Sequence, residues 1–324
     1  MNSAHTEAIE RTHLALAEQH ANALLAEVRQ VYLGPEQVPE LLLIAMCARG
    51  HVLLEGVPGV AKTTLAKAFA QTIHGNFRRI QFTPDLMPSD ITGTYVLSHQ
   101  HPGQFELHLG PVFANVVLGD EINRAPAKTQ SALLEAMQEG QVTIDGDTRD
   151  LPSPFMVIAT QNPVEHAGTY PLPEAQIDRF LIRVLVGYPS PTEELAILQR
   201  FNRTLPNARP ILRPDDVLTL QALAEQIHVE ATVMDYIVRI AQFTRTHPHV
   251  YLGASPRASL SLLHATKARA LIAGRPYVTP DDVMTLADPV LSHRLVLTAD
   301  AQMDGVQNGE VIQQALRQVI YHRG

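Results

Sequence analysis

Gly56-Val57-Pro58-Gly59-Val60-Ala61-Lys62-Thr63-Thr64 sets two glycines ahead of a lysine and two hydroxyls. Backbone amides in such a loop converge on an anion, the lysine reaches the outer phosphates, and the following hydroxyl binds Mg²⁺. One residue departs from the usual pattern: Ala61 stands where a second motif glycine is expected. With helical φ just before the lysine, alanine there costs little. The residues assigned to phosphate are Gly56 to Thr64, with Lys62 for the β- and γ-phosphates and Thr63 for the metal. Without further context the same residues also make a plain glycine-rich turn with an exposed lysine.

Context comes from two later segments. Val116-Val117-Leu118-Gly119 runs into Asp120-Glu121, two adjacent carboxylates suited to different work. Asp120 holds Mg²⁺ through water, and Glu121 polarises the attacking water. Phe155 to Asn162 is a second apolar run with a polar end, and Asn162 is placed to orient that water. In this order the three segments predict hydrolysis of ATP with Mg²⁺. Two arginines follow, Arg179 in Asp178-Arg179-Phe180 and Arg257 in Ser255-Pro256-Arg257. Arginine matches a transferring phosphoryl group bidentately. Arg179 is the candidate for action on a neighbouring subunit's nucleotide, and Arg257 for a sensor linking nucleotide state to the second domain. Arg124 is a further interface candidate.

These residues need a scaffold. The apolar runs HVLLEG, NVVLGDE and FMVIATQN read as strands buried on both faces, as a parallel sheet covered by helices requires. Helical patterns lie between them, over Lys62 to Ile73 and Ala127 to Gln138. A leading amphipathic helix is predicted over residues 10–33, then another from Pro39 to Cys47. From Thr192 onward only helix patterns remain, with Thr279-Pro280-Asp281-Asp282 as a helix start. The predicted fold is α/β, a P-loop parallel sheet with helices on both faces, followed by a smaller all-α lid. The predicted divisions are an N-terminal helix over 1–30, a nucleotide-binding domain over 31–188 and the lid over 189–324.

Composition narrows the classes. The chain has 324 residues, one cysteine (Cys47), no tryptophan and a formal charge of −8. A single cysteine excludes an internal disulfide framework and fits a reducing cytoplasm. No apolar run approaches the ~20 residues of a membrane span, and no secretory signal is read at the start. The acidic balance and sparse aromatics argue against general nucleic-acid binding.

The ordered motifs GVPGVAKT, GDEINRAP, ATQNP, EAQIDRF and SPRA resemble the MoxR branch of the AAA+ ATPases, over about Val31 to Val296. That branch also carries the alanine before the lysine. Gly119, where alanine is usual, and His166, in the NPVE loop, are small departures. The resemblance implies a ring, most often a hexamer, with ATP at subunit interfaces and a lid that rocks with hydrolysis. It also implies two inserts: one within Gln81 to Ala114, the other a hairpin at Gly140 to Phe155. The hairpin's turn at Asp145-Gly146 is legible without the family. In this clade the lid is displaced, which leaves open whether Arg257 serves its own nucleotide or a neighbour's.

Relatives of this kind are thought to be chaperones that remodel or mature a partner protein, such as a metal-dependent enzyme or a protein with a von Willebrand factor A-type domain. A chelatase-like motor subunit and a nucleotide-gated scaffold with little turnover are the alternatives. The hairpin tip, Asp145-Gly146-Asp147, is acidic and repels phosphate, which argues against a DNA motor. His99, His101 and His108, and His247 with His249, offer a weak zinc or nickel pattern. Solvated loop histidines are the simpler reading, because no spacing matches a known ligand framework.

Overall fold

The computed structural model describes residues 10–57, 59–98, 101, 103–162, 170–201 and 207–322. Pro58, His99 and His166 lie outside the described residues. Helix α1 (Arg11–Val31) buries Leu14, Ala17, Ala21, Leu24, Leu25 and Val28 as one stripe, the consequence of their spacing by three and four. Helix α2 (Gln37–Cys47) starts two residues before the expected position. Pro39 sits inside its first turn, where the missing amide has no helical partner to lose.

The α/β part then runs β1 (Val52–Gly56), α3 (Lys62–Thr72), β2 (Phe77–Gln81), α4 (Pro88–Thr92), β3 (Gly93–Leu97) and β4 (Phe105–Leu109). It continues with β5 (Val116–Asp120), α5 (Ala127–Glu139), β6 (Gln141–Ile144), β7 (Asp147–Asp150), β8 (Met156–Gln161), α6 (Glu174–Ile177) and β9 (Ile182–Val186). Five of these strands form one parallel sheet in the order β2-β5-β8-β1-β9. The three inner strands are buried almost throughout, which explains their continuous apolar sequences. Leu54, Leu118 and Ile158 face one core with α1, α2 and α3, while Leu53, Val117 and Ala159 face a second core with α5. Helices therefore cover both faces.

Both expected inserts are antiparallel hairpins, β3–β4 and β6–β7. Asp145 (φ 49°) and Gly146 (φ 90°) make the second turn, both left-handed, which matches the twist of the flanking strands. Tyr95 of the first hairpin donates to Asp147 of the second at 3.1 Å, so the hairpins support each other.

The lid comprises α7 (Pro191–Phe201), α8 (Pro214–Gln226), α9 (Ala231–Thr246), β10 (Val250–Leu252), α10 (Pro256–Ile272), α11 (Pro280–Leu291), β11 (Val296–Leu297), α12 (Ala299–Met303) and α13 (Asn308–Gln318). It is helical, with one addition that sequence pattern missed: β10 and β11 pair antiparallel. Strands of three and two residues carry no readable period. At the α11 start, the Asp282 carboxylate accepts from the Thr279 amide at 2.7 Å and the Thr279 hydroxyl at 2.9 Å. No helix among the described residues is long and apolar enough to cross a membrane.

Candidate functional site

In an open parallel sheet, ligands bind beyond the carboxyl ends of the strands, where the chain order reverses. Here β1 lies between β8 and β9, and Gly56, Gln81, Asp120 and Gln161 end their strands on the same edge. Gly56 pairs with Val186, and a Cβ on it would come within 2.3 Å of the Val186 carbonyl oxygen. Only glycine lets β1 and β9 approach this closely. Gly59 then turns the loop with φ 87°. Ala61 differs from expectation: its φ is 57° and ψ is 24°, left-handed, so it is the residue before the helix and not part of it. The loop reverses immediately before Lys62, and alanine holds a conformation that glycine adopts without strain.

Lys62 donates to the carbonyl oxygens of Gly56 and of Gln161, the latter at 3.1 Å. The ammonium thus bridges the ends of β1 and β8, over the mouth of the loop. The Thr63 hydroxyl donates to Asp120 Oδ2 at 3.2 Å, and the Thr160 hydroxyl to Asp120 Oδ1 at 2.6 Å. Glu121 is left-handed (φ 57°), and its amide donates to the Thr160 hydroxyl at 2.9 Å. A bulky residue at positive φ is uncommon, and such strain clusters where side-chain direction matters. Its carboxylate accepts from Gln81 Nε2 and from Arg124, each at 3.0 Å. Arg124 therefore lies beside its own Glu121. Asn162 is buried at the end of β8, and its carbonyl oxygen accepts from Asn123 at 3.3 Å.

Lys62, Thr63, Thr64, Asp120, Glu121 and Asn162 line one cleft of about 470 Å³, a volume suited to a nucleotide. Val60 and Ala61 are in its wall, while Gly56 and Val57 lead into the loop. Tyr32, Pro35, Val186 and Ile197 add apolar surface to its lining. The Tyr32 hydroxyl is buried there with no hydrogen-bond partner, and burial pushes its pKa up to about 12. An anion in the cleft would meet the loop amides and Lys62. Sequence reasoning missed Tyr32, Thr160, and also Arg79 and Gln81 of β2. None belongs to a recognised motif, and the polar sequence FRRIQ hides β2 as an edge strand with only Ile80 buried.

Arg179 and Arg257 do not line that cleft. They share a separate one of about 360 Å³ with Arg49, Asp178, His264 and Arg294. The two clefts have no lining residue in common. Among the described residues no group of three His, Cys, Asp or Glu side chains is close enough to hold a metal. His101 pairs with Glu106 at 3.6 Å, and His247 pairs with Gln314 at 2.8 Å.

The model of the ATPase family associated with various cellular activities (AAA) matches residues 51–182, and that of the AAA lid domain matches residues 242–315. The chain is 50% identical to chaperone MoxR1 of Mycobacterium tuberculosis over 313 residues, 94% of this chain and 83% of that one. It is 31% identical to the protein MoxR of Methylorubrum extorquens, covering 87% of this chain and 89% of that one. A solved Cytophaga hutchinsonii protein, proposed to be an ATPase, superposes with TM-score 0.90 at 39% identity, covering 96% of this chain and 98% of that one.

Proposed function

The chain belongs to the MoxR family of AAA+ ATPases, and we propose that it hydrolyses ATP only where two of its copies meet, as a ring-shaped chaperone acting on a partner protein. One observation carries this reading: the loop, Asp120 and Glu121 lie in one cleft, and Arg179 and Arg257 in another. We read the arginine that completes the phosphate site as the neighbour's, since Arg79 of the same chain is engaged by Asp120; this is the head-to-tail arrangement that closes a ring. By the same reasoning Arg257 serves the neighbour's nucleotide. We assign 31–188 to the nucleotide and 189–324 to the lid, with Pro189 and Ile197 of the latter also lining the cleft.

The loop amides and Lys62 bind the phosphates, with the Thr63 hydroxyl as a ligand for Mg²⁺, a hard cation, and Asp120 holding that ion through water. Bound there, Mg²⁺ would neutralise developing phosphate charge. Glu121 takes the proton from the attacking water, and Asn162 holds that water in line. The neighbour's Arg179 steadies the transferring group. Gln81 and Arg124 hold the Glu121 carboxylate, so turnover requires these contacts to open.

The relatives' names support a chaperone role, and the family resemblance points to a client with a von Willebrand A-type domain or a metal-dependent enzyme. The acidic, exposed β6–β7 tip is consistent with a protein client and not with nucleic acid. The test is turnover per subunit against protein concentration. It rises steeply as subunits associate if the site is shared, and stays constant if each chain is complete alone.

A further inference from the structure

The carboxylate assigned to magnesium already carries a cation. Arg79 reaches in from β2 and donates to Asp120 Oδ2 from Nε at 3.1 Å and from Nη2 at 2.6 Å. With the Thr63 hydroxyl, that oxygen accepts three donors, and Thr160 occupies the other. The Asp120 side chain is 9% exposed, whereas that of Arg79 is 50% exposed. A buried carboxylate left without a partner is costly, so Asp120 needs a counter-ion. A half-exposed arginine on an edge strand leaves at small cost, because its charge is readily hydrated.

We propose that Arg79 is a displaceable counter-ion that competes with Mg²⁺ for Asp120. The inference rests on the reading of Thr63 as the metal's ligand and of Asp120 as the carboxylate that holds it through water, and the pair fits that group: two hard oxygen atoms 3.2 Å apart beside Lys62. A hydrated metal held through Oδ2 and the Arg79 guanidinium repel each other across a few ångströms of partly buried site, so each weakens the other's hold on Asp120. Arg79 therefore holds Asp120 in shape without nucleotide and yields it when the metal arrives. Its Nη2 also donates to Gln81 Oε1 at 2.6 Å, and Gln81 in turn holds Glu121. Arg79 is a positioning residue, not part of the bond-breaking machinery.

The experiment titrates Mn²⁺, a spectroscopically visible substitute for Mg²⁺, into the full chain with ADP, following free metal by electron paramagnetic resonance. Arg79→Met removes the charge and keeps most of the stem. It should bind Mn²⁺ with ADP roughly threefold to tenfold more tightly than wild type, and Arg79→Lys should fall between. Arg79→Met should also melt earlier without metal and gain more in melting temperature from Mn²⁺ with ADP. Equal metal affinity in wild type and Arg79→Met, or weaker affinity in the variant, overturns the inference while leaving nucleotide binding intact. If wild type takes up no metal with ADP, the nucleotide reading itself falls and takes this with it. Should Arg79→Met not fold, Arg79→Gln decides on the same criterion.

Discussion

Arg294 donates from Nε to Asp178 Oδ1 at 2.7 Å, and its other nitrogens reach the carbonyl oxygens of Val290 and of Phe180, the latter at 2.8 Å. A buried guanidinium of the lid thus grips the loop on both sides of Arg179. Burial lowers the Arg294 pKa, with Asp178 opposing. The arginine proposed to act on a neighbour is held in place by a second arginine that never leaves its own chain.

Arg294→Met should therefore destabilise the fold by roughly 2–4 kcal/mol, because it strands a carboxylate and several carbonyl oxygens. Urea unfolding measures the loss. Hydrolysis should fall as well, since the Arg179 loop loses its anchor, while nucleotide binding stays intact. Unchanged turnover in a folded variant would show that Arg179 does not depend on this grip.

Acid should loosen the protein through two buried histidines. Burial lowers His51 to about 4, against the pull of the Met137 carbonyl. Its Nδ1 accepts from the Val157 amide at 3.0 Å, so Nε2 carries the proton and donates to Met137 at 3.0 Å. His293 is held well below the usual range by burial and by the charge of Arg294. A histidine whose pKa is lower folded than unfolded contributes stability that is complete above the unfolded value of about 6.5. The contribution is lost as pH falls through that value toward the folded pKa. Each unit lost costs about 1.4 kcal/mol per histidine. Urea midpoints should hold from pH 8 to 7 and drop by pH 5. A flat profile between 7 and 5 contradicts this.

Ala61→Gly should stabilise the nucleotide-free protein by about 0.5–1 kcal/mol, because φ of 57° strains alanine more than it costs glycine in chain entropy. Thermal unfolding at matched pH reads the change. Had the helical φ expected from sequence been present, the substitution would destabilise, so the sign alone decides.

That reversal marks where sequence ran out. The inner strands were legible because burial on both faces leaves only apolar residues between Val52 and Leu54, Val116 and Leu118, and Met156 and Ala159. Lys62, Thr63, Asp120 and Asn162 were legible because each ends or follows such a run. Backbone sign at Ala61 was not, since the reversal of the loop into α3, and not local propensity, requires it. Arg79 and Gln81 were hidden because an edge strand needs few apolar residues, so its polar side chains read as surface. Tyr32 caps α1 outside any motif, so nothing in the sequence marks it as lining the cleft.

Glu121→Gln should leave Mg²⁺-dependent ATP binding within about threefold of wild type and lower turnover by a factor of roughly 100 or more, since the amide cannot accept the water's proton. Fluorescent-nucleotide titration and phosphate release measure the two separately. Substantial turnover in this variant would move the base elsewhere.

The shared site is tested most directly by combining two inactive chains. Lys62→Ala lacks the phosphate lysine, and Arg179→Ala lacks the arginine offered to a neighbour; neither should hydrolyse ATP alone. Co-assembled in equal amounts, they should recover roughly a quarter of wild-type turnover, the share of head-to-tail interfaces that random mixing leaves with both residues intact. A mixed assembly as inactive as its parents, or Arg179→Ala active by itself, would contradict an active centre divided between two copies.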